Sequence, residues 1–194
     1  PALAKTKSKS GTIDVAPIAE RLMAMVEAIH KTGHLLVDIK PENFMLAAAS
    51  TRKAAVTAES LASLMRVLDL GLFQMWNDHC GHRPNEEGGD LQGTPLYASL
   101  NVHSGNTPSR RDDVESLVYV LMELVIRTHA AVMGTVATYE RNKNAPTYLP
   151  WSQEGSDDAT GAVKRTLVGL SLIPILRRRR TTLVRVTVVH IPLH

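Results

Sequence analysis

The chain has 194 residues, of which 44% are hydrophobic, and its formal net charge is +3. That length is enough for one hydrophobic core or a small pair of subdomains. The single cysteine, Cys80, excludes a disulfide within the chain and favours a reducing compartment. The longest apolar run near the end, residues 167–176, is about half of the ~20 residues that a membrane span requires. The composition therefore predicts a protein that does not cross a membrane.

The first residues, PALAKTKSKS, lack the apolar region of a signal peptide, which favours a cytoplasmic or nuclear location. The sequence begins with proline rather than methionine, so we expect a fragment or a processed product. Lysine, serine and glycine dominate residues 1–13, and the composition predicts a flexible basic segment there.

The first regular element is predicted over residues 14–31. Asp14 is a suitable N-cap, and Pro17 lies within the first turn, where proline is tolerated. Apolar residues then recur at steps of three and four up to Ile29, and Gly33 follows. The pattern predicts an amphipathic helix with one buried face.

Three segments of different character follow the stretch HLLVDIKPENFML (34–46). Residues 47–63 are rich in alanine and serine and are predicted to be a surface insertion with about one helical turn. MRVLDLGLF (65–73) is typical of a buried strand that enters a glycine turn. Residues 76–93 are polar and glycine-rich, which predicts a long loop. This loop contains His79, Cys80 and His82, but no second cluster completes a zinc site.

The second strong helix is predicted over residues 112–127, because apolar residues from Val114 to Val125 repeat at helical spacing. Residues 128–148 are predicted to form another insertion. Residues 166–194 contain RRRR and many β-branched residues and show no helical period. We interpret them as a basic tail of unknown structure, which could serve as a nuclear-localisation patch.

The stretch 34–46 poses a chemical question, because it places charged residues inside an apolar run. A charge buried without a partner costs several kcal/mol, so such residues belong at a site that uses them. Phosphoryl transfer needs a carboxylate that accepts a hydroxyl proton, a cation near the transferring phosphate and oxygen ligands for Mg²⁺. Asp38 and Lys40 could supply the first pair, and Asn43 and Asp69 the metal ligands. Gly71 permits the turn that would bring the second loop close to the first.

These motifs also carry a family resemblance. DIKPENFML resembles the catalytic loop of eukaryotic protein kinases, and Asp69-Leu70-Gly71 resembles their metal-binding DFG motif. GTPLYASLNVHSGNTPSRRDDVESLVYVLMEL (93–124) is similar to the corresponding segment of the casein kinase I group, with the vaccinia-related kinases as second relatives. The resemblance covers about residues 12–165. It implies a mainly α fold with short β-hairpins at the catalytic loop, namely a kinase-like C-terminal lobe over residues 14–165.

The resemblance implies a serine/threonine kinase that uses ATP and Mg²⁺ and acts on protein substrates, including acidic or pre-phosphorylated ones. Nucleic acid is not an expected partner. It assigns a role to each of nine residues: Asp38 as catalytic base, Lys40 as phosphate contact, Thr94 as the hydroxyl that bridges them, Asn43 and Asp69 as Mg²⁺ ligands, Met45 under the adenine ring, Asp113 as anchor of the catalytic loop, and Arg110 and Arg111 as anion-binding residues.

Several of these roles have plainer alternatives. Met45 could be an ordinary core methionine. Asp113 could be a simple helix N-cap. Arg110 and Arg111 could be a solvated charge pair on the surface.

Other positions depart from the family pattern. Leu36 and Val37 stand where kinases have histidine and arginine, and Val37 cannot pair with a phosphorylated activation loop. The thirteen residues before Asp14 cannot form the small β-rich lobe that covers ATP. We therefore expect this chain alone to be inactive, with a pseudokinase or protein-binding scaffold as the alternative function. We also expect the two long helices to pack together and an apolar patch to face the position of the absent lobe.

Overall fold

The computed structural model describes residues 14–47, 57–78, 81–132, 149–152 and 156–171. These residues form a mainly α fold with short strands, as predicted. The helices are α1 (Ala16–Lys31), α2 (Ala58–Leu64), α3 (Leu100–His103), α4 (Arg110–Val132) and α5 (Asp157–Ser171), with a 3-10 helix at Pro41–Asn43. No helix in the described part of the chain is long and apolar enough to span a membrane.

The strands form three two-stranded antiparallel sheets within the described ranges. They are β1 (His34–Leu35), β2 (Phe44–Leu46), β3 (Met65–Val67), β4 (Gln74–Met75), β5 (Asn77–Asp78) and β6 (Gly81–His82). β1 pairs with β4, β2 with β3 and β5 with β6. The first two strand pairs, neither of which is a hairpin, flank the polar stretch of residues 36–43 and bring its two ends against the segment that contains Asp69.

The core lies between α1 and α4, which confirms the prediction that the two long helices pack against each other. α1 contributes Ile18, Leu22 and Val26, spaced by four residues along one face, and α4 contributes Leu117 and Val120. Burying each of these side chains contributes about 1.5–3 kcal/mol. The same core includes apolar side chains of the polar stretch, of the segment before α3 and of residues 149–152: Leu36, Ile39, Tyr97, Leu149 and Trp151.

Two predicted segments differ from the structure near α2. Residues 57–63 are not a surface insertion, because Thr57 caps α2 and the helix buries Ala58, Leu61 and Ala62 in contact with α1. The predicted buried strand over 65–73 is also wrong beyond Val67. Leu68, Leu70 and Leu72 are about half exposed, because the chain leaves β3 and turns, whereas Phe73 packs against the core.

The later boundaries also shift. The predicted loop 76–93 contains the β5–β6 hairpin. α4 runs to Val132 and therefore includes the first residues of the predicted insertion 128–148, and α5 includes residues 166–171 of the predicted tail. Residues 1–13, 48–56, 133–148 and 172–194, on which the remaining segment predictions fall, lie outside the described residues, as do His79 and Cys80.

Candidate active site

The loop that follows β1 is held by the carboxylate of Asp113 on α4. One carboxylate oxygen accepts a hydrogen bond from the backbone N–H of Leu36, and the other accepts one from the backbone N–H of Val37, each at 2.9 Å. His30 Nε2 at the end of α1 adds a third contact at 2.8 Å. Asp113 is only 2% exposed, so these donors satisfy a buried charge. Asp113 is therefore not a simple N-cap.

The backbone at Val37, directly before Asp38, is strained. Val37 has φ 65°, a left-handed value that β-branched residues rarely adopt. The backbone N–H of Asp38 donates to the carbonyl of Leu36 at 2.8 Å, which closes a tight turn around Val37. Such a conformation costs about 1–3 kcal/mol and persists only where surrounding structure holds it. The Asp113 carboxylate supplies that support.

The carboxylate of Asp38 is the centre of a hydrogen-bonded cluster. Its Oδ1 accepts from the backbone N–H of Thr94 at 2.9 Å and from the Thr94 hydroxyl at 2.6 Å. Its Oδ2 accepts from Lys40 Nζ at 2.6 Å and, more weakly, from Asn43 Nδ2 at 3.4 Å. Lys40 Nζ also lies 3.3 Å from Thr94 Oγ1. Four residues named by the sequence pattern are thus brought together, although Thr94 lies 56 positions beyond Asp38.

Gly93 allows Thr94 to come this close. Gly93 has φ 82°, and a Cβ atom placed on it would lie 2.9 Å from the carbonyl oxygen of Val37. Any other residue would therefore combine a strained backbone with a steric clash. The glycine of the GT motif is explained by the close approach of two backbones.

The electrostatics of the cluster keep Asp38 ionised. Burial alone would raise the pKa of Asp38, but hydrogen bonds from Lys40 and Thr94, together with the charge of Lys40, outweigh it and bring the pKa below its ordinary value. The hydrogen bond to Asp38 in turn raises the pKa of Lys40, although partial burial opposes the change. At neutral pH the site therefore holds a carboxylate beside an ammonium.

The two residues proposed as metal ligands lie on adjacent loops. The backbone N–H of Leu68 donates to the carbonyl of Asn43 at 2.9 Å, and β2 pairs with β3. Asn43 is buried and its Nδ2 donates to the carbonyl of Asp38 at 2.8 Å. Asp69 is exposed, and its Oδ1 accepts from the backbone N–H of Gly71 at 2.8 Å. The loops meet, but the structure records no contact between the two side chains.

This donor set matches a particular kind of metal site. Among the described residues, no group of three or more His, Cys, Asp or Glu is placed to hold a metal ion. One amide oxygen and one carboxylate are nevertheless the hard ligands that Mg²⁺ uses when substrate phosphates and water complete its octahedral shell. The residues fit a Mg²⁺ ion that arrives with a nucleotide, and they do not form a closed protein site.

Met45 lies on β2 and is 46% exposed, so its interpretation as a core methionine is wrong. Other exposed apolar side chains lie on β2, on β4 and in the turn between β3 and β4: Leu46, Leu68, Leu70, Leu72 and Met75. An exposed set of large apolar residues was predicted for the surface that a small lobe would cover.

Arg110 and Arg111 lie at the start of α4 and are exposed. The guanidinium of Arg110 stacks over the indole of Trp76, 3.8 Å from the ring centre, and Arg111 donates to Asn101 Oδ1 at 2.9 Å. Both line a cavity of about 350 Å³. Two further basic side chains, His82 and Arg83, line the same cavity.

A second cavity, of about 280 Å³, opens beside Thr94. Leu96 and Trp151 provide apolar walls, and Asp157 contributes a carboxylate from the start of α5. Trp151 is fixed by a hydrogen bond from its indole N–H to the carbonyl of Leu96 at 2.8 Å. The cavity therefore adjoins the residue that touches Asp38.

Three residues of the site were missed by sequence reasoning. His30 contacts Asp113, the indole N–H of Trp76 donates to the His30 carbonyl at 2.9 Å, and Lys164 contacts the segment around Thr94. Spacing gives no signal for any of them, because their partners lie at least 46 positions away in the sequence.

The cluster as a whole can orient and deprotonate a hydroxyl group. It combines an ionised carboxylate, a neighbouring ammonium and two loops that supply hard oxygen ligands. None of the known protein-family models matches the chain.

Proposed function

We propose that the chain is the helical C-terminal lobe of a serine/threonine protein kinase similar to the casein kinase I group. Its reaction is transfer of the γ-phosphate of ATP to a serine or threonine hydroxyl of a protein. The observation that carries the proposal is the Asp38 carboxylate, held by Thr94 on one oxygen and by Lys40 on the other.

Asp38 acts as the base that receives the substrate's hydroxyl proton. A carboxylate has about four lone-pair sites, and the 3.4 Å contact with Asn43 is the weakest of those occupied. On Oδ2 a substrate hydroxyl would replace this weak contact and be held there in line for attack. The low pKa of Asp38 suits a transition state in which the proton moves late and positioning dominates.

Lys40 provides positive charge beside the transferring phosphate. Its ammonium has three hydrogens, and the contacts with Asp38 and Thr94 use two of them. The third can donate to a phosphoryl oxygen, where charge builds up during transfer. Thr94 ties the lysine to the aspartate and so fixes their relative position.

Asn43 and Asp69 would hold Mg²⁺, with the buried amide as a fixed ligand and the exposed carboxylate as a mobile one. The ion, when bound with ATP, neutralises phosphate charge and orients the phosphates. Met45 offers an exposed apolar surface for the adenine ring. The basic cavity that includes Arg110 and Arg111 favours acidic or pre-phosphorylated protein substrates.

The test is phosphate transfer from Mg²⁺-ATP to casein-like peptides. The chain alone should transfer no measurable phosphate, because none of the residues that the structure describes covers the proposed nucleotide site. Joined before Asp14 to a kinase small lobe, it should transfer phosphate, and Asp38→Asn should reduce the rate by about 10²–10⁴-fold while leaving nucleotide affinity nearly unchanged. Asp158→Asn, at an exposed aspartate on α5, is the matched control. Wild-type turnover by Asp38→Asn would exclude Asp38 as the base.

The alternative function is a pseudokinase or protein-binding scaffold. The exposed Asp69, whose carboxylate binds the turn at Gly71, favours it, as does valine at position 37. A scaffold would present the same surfaces without turnover. If the chain joined to a kinase small lobe, here called the lobe-completed protein, binds no Mg²⁺-ATP, the scaffold function is the correct one.

A further inference from the structure

The cavity of about 350 Å³ at the start of α4, here called the basic cavity, is lined by three arginines and a histidine. None of its lining residues in the described part of the chain is an aspartate or a glutamate. Arg111 Nε lies 3.8 Å from the carboxylate of Asp112, whereas within the described ranges neither Arg83 nor Arg110 forms an ion pair. A site of this charge favours an anion, and a phosphate group suits it because guanidinium groups donate parallel hydrogen bonds to phosphate oxygens.

Trp76 contacts three of the four basic residues that line this cavity. The guanidinium carbon of Arg110 lies over the indole, 3.8 Å from the ring centre. The ring of His82 lies at an angle to the indole, with 5.7 Å between the two ring centres. The backbone N–H of Arg83 donates to the carbonyl of Trp76 at 3.1 Å. The position of Trp76 and the geometry of the basic cavity therefore depend on each other.

Trp76 also contacts the end of α1. Its indole N–H donates to the carbonyl of His30 at 2.9 Å, and its backbone N–H donates to the carbonyl of Gly33 at 3.0 Å. The last turn of a helix frays readily, because its carbonyls have no partner within the helix. Trp76 therefore restrains the turn that carries His30.

His30 connects this turn to the Asp38 loop. Its Nε2 lies 2.8 Å from Oδ2 of Asp113, and the same oxygen accepts from the backbone N–H of Leu36 at 2.9 Å. A displacement of His30 would therefore disturb the carboxylate that holds the backbone before Asp38. A continuous series of contacts thus joins the basic cavity to the Asp38 loop.

An anion in the cavity would act on these contacts through Arg110, which is exposed. Within the described part of the chain, its guanidinium is held by the contact with the indole and by no hydrogen bond or ion pair. A guanidinium that contacts a ring with its flat face keeps the N–H groups at its edge for an anion. A bound anion would therefore fix the guanidinium against the indole and the indole against the His30 carbonyl. Binding that orders one part of a coupled series lowers the entropy cost of ordering the rest.

We propose that the basic cavity is an effector site for a phosphate group that orders the Asp38 loop, and that Trp76 is the positioning residue that links the two. The source of the phosphate group is a phosphorylated residue of the protein substrate, and this identification rests on the proposed function. A phosphorylated substrate would then order the base that receives a proton from its hydroxyl group. The coupling between the cavity and the loop does not depend on the proposed function, and it is tested without an activity assay.

The experiment is amide hydrogen exchange of the full chain at about pH 7, with and without inorganic phosphate at constant ionic strength. Changes in the NMR shifts of the Arg83 and Arg110 amides report that phosphate binds. The reporters of the loop are the amides of Leu36 and Val37, whose exchange should slow by at least about fivefold at saturation, the low end of coupling between two sites. The amide of Leu61 in α2 is the reference and should slow less, because binding that stabilises the whole fold slows all amides that exchange by global unfolding.

Two variants interrupt the series of contacts at different points. Trp76→Phe keeps a ring for Arg110 but removes the N–H that contacts the His30 carbonyl, which retains the N–H of Gly33 at 3.0 Å. This variant should bind phosphate without the extra slowing of the reporters. Arg110→Gln should lose the slowing, whereas Arg165→Gln, at an exposed arginine of α5 outside the cavity, should keep it.

The proposal is overturned if phosphate leaves the cavity amides unshifted, or if Leu61 slows as much as the reporters do. It is also overturned if Trp76→Phe or Arg110→Gln retains the wild-type slowing, and the Arg110 result remains decisive even if Trp76→Phe fails to fold. Failure of the kinase assay with the expected exchange result would reject the proposed function and leave this coupling intact.

Discussion

The two acidic loops of the candidate site differ in how the fold supports them. The Asp38 loop is held from three directions, by Asp113 on its backbone and by Lys40 and Thr94 on its carboxylate. The Asp69 loop is exposed, and within the described ranges the carboxylate accepts a hydrogen bond only from Gly71, two residues away. The carboxylate of Asp38 is fixed by tertiary contacts, and that of Asp69 by a contact within its own turn.

This difference separates two requirements of the proposed reaction. The base and its neighbouring ammonium must be in place before substrate arrives, and the described residues achieve this alone. The proposed binding of metal and nucleotide would depend on the exposed loop and on the exposed apolar surface around Met45. The fold therefore organises the proposed chemistry more completely than the proposed nucleotide site.

The largest expected change in stability comes from substitution of Asp113, which holds the backbone of the Asp38 loop. Asp113→Asn places an amide N–H₂ where a carboxylate oxygen accepts a backbone N–H, and leaves a buried donor unsatisfied. We expect the free energy of unfolding to fall by about 3 kcal/mol, measured by urea denaturation. Asp158→Asn, at an exposed position, should change it by less than about 0.5 kcal/mol. Equal effects of the two substitutions would contradict the anchoring contact.

A second test concerns Lys164, whose Nζ donates to the carbonyl oxygens of Pro95 and Ala98 in the segment that carries Thr94. In the unfolded chain this lysine keeps its proton up to its ordinary pKa of 10.5, whereas in the folded chain burial lowers the pKa to about 7. The unfolded state therefore binds more protons above pH 7, and the free energy of unfolding should rise with pH by a few kcal/mol at most. The range to measure ends near pH 9.5, because ionisation of Tyr97 and Tyr119 in the unfolded chain, ordinarily at 10.0, opposes the trend.

The matched variant for this pH series is Lys164→Met, which keeps a long side chain but has no proton to lose. Its stability should lack the rise between about pH 7 and about pH 9.5. An identical slope in the variant and the wild type would assign the rise to other groups.

A substitution in the Asp69 loop should change the free energy of unfolding much less. Asp69→Asn retains an oxygen that accepts from the N–H of Gly71, and the side chain is exposed. We expect the free energy of unfolding to change by less than about 0.5 kcal/mol. In the lobe-completed protein the same change should weaken Mg²⁺-dependent nucleotide binding by at least about tenfold, because a charged ligand is lost. Asp90→Asn, also exposed, should alter neither, and unchanged nucleotide affinity in Asp69→Asn would remove Asp69 from the metal site.

The smallest effect on stability is expected at the exposed apolar residues. Leu70 and Leu72 are 51% and 48% exposed, so the double substitution Leu70→Ser with Leu72→Ser should leave stability nearly unchanged. It should reduce the fluorescence of a dye that binds apolar surface. The pair Glu86→Ser with Glu87→Ser, also exposed, is the control. Undiminished dye binding in the leucine variant would place the apolar patch elsewhere.

The sequence by itself determined the local features of this protein. Apolar residues at steps of three and four marked α1 and α4, because a helix turns once in 3.6 residues and must bury one face. The order of Asp38, Lys40 and Asn43 marked the polar loop, because charges inside an apolar run require partners. Spacing could not reveal that residues 57–63 pack on α1, nor that Leu68, Leu70 and Leu72 are exposed. Short apolar runs allow both burial and exposure, and only their neighbours decide.

Tertiary structure alone decided how the site is supported. The contacts of Asp113 with the N–H groups of Leu36 and Val37, of His30 with Asp113, and of Lys164 with the segment around Thr94 join residues that are 66 to 83 positions apart. No period or motif links such distant partners in a single sequence. They meet because α1, α4 and α5 pack around the segments between them, and a charge that this packing buries is stable only where donors or acceptors surround it.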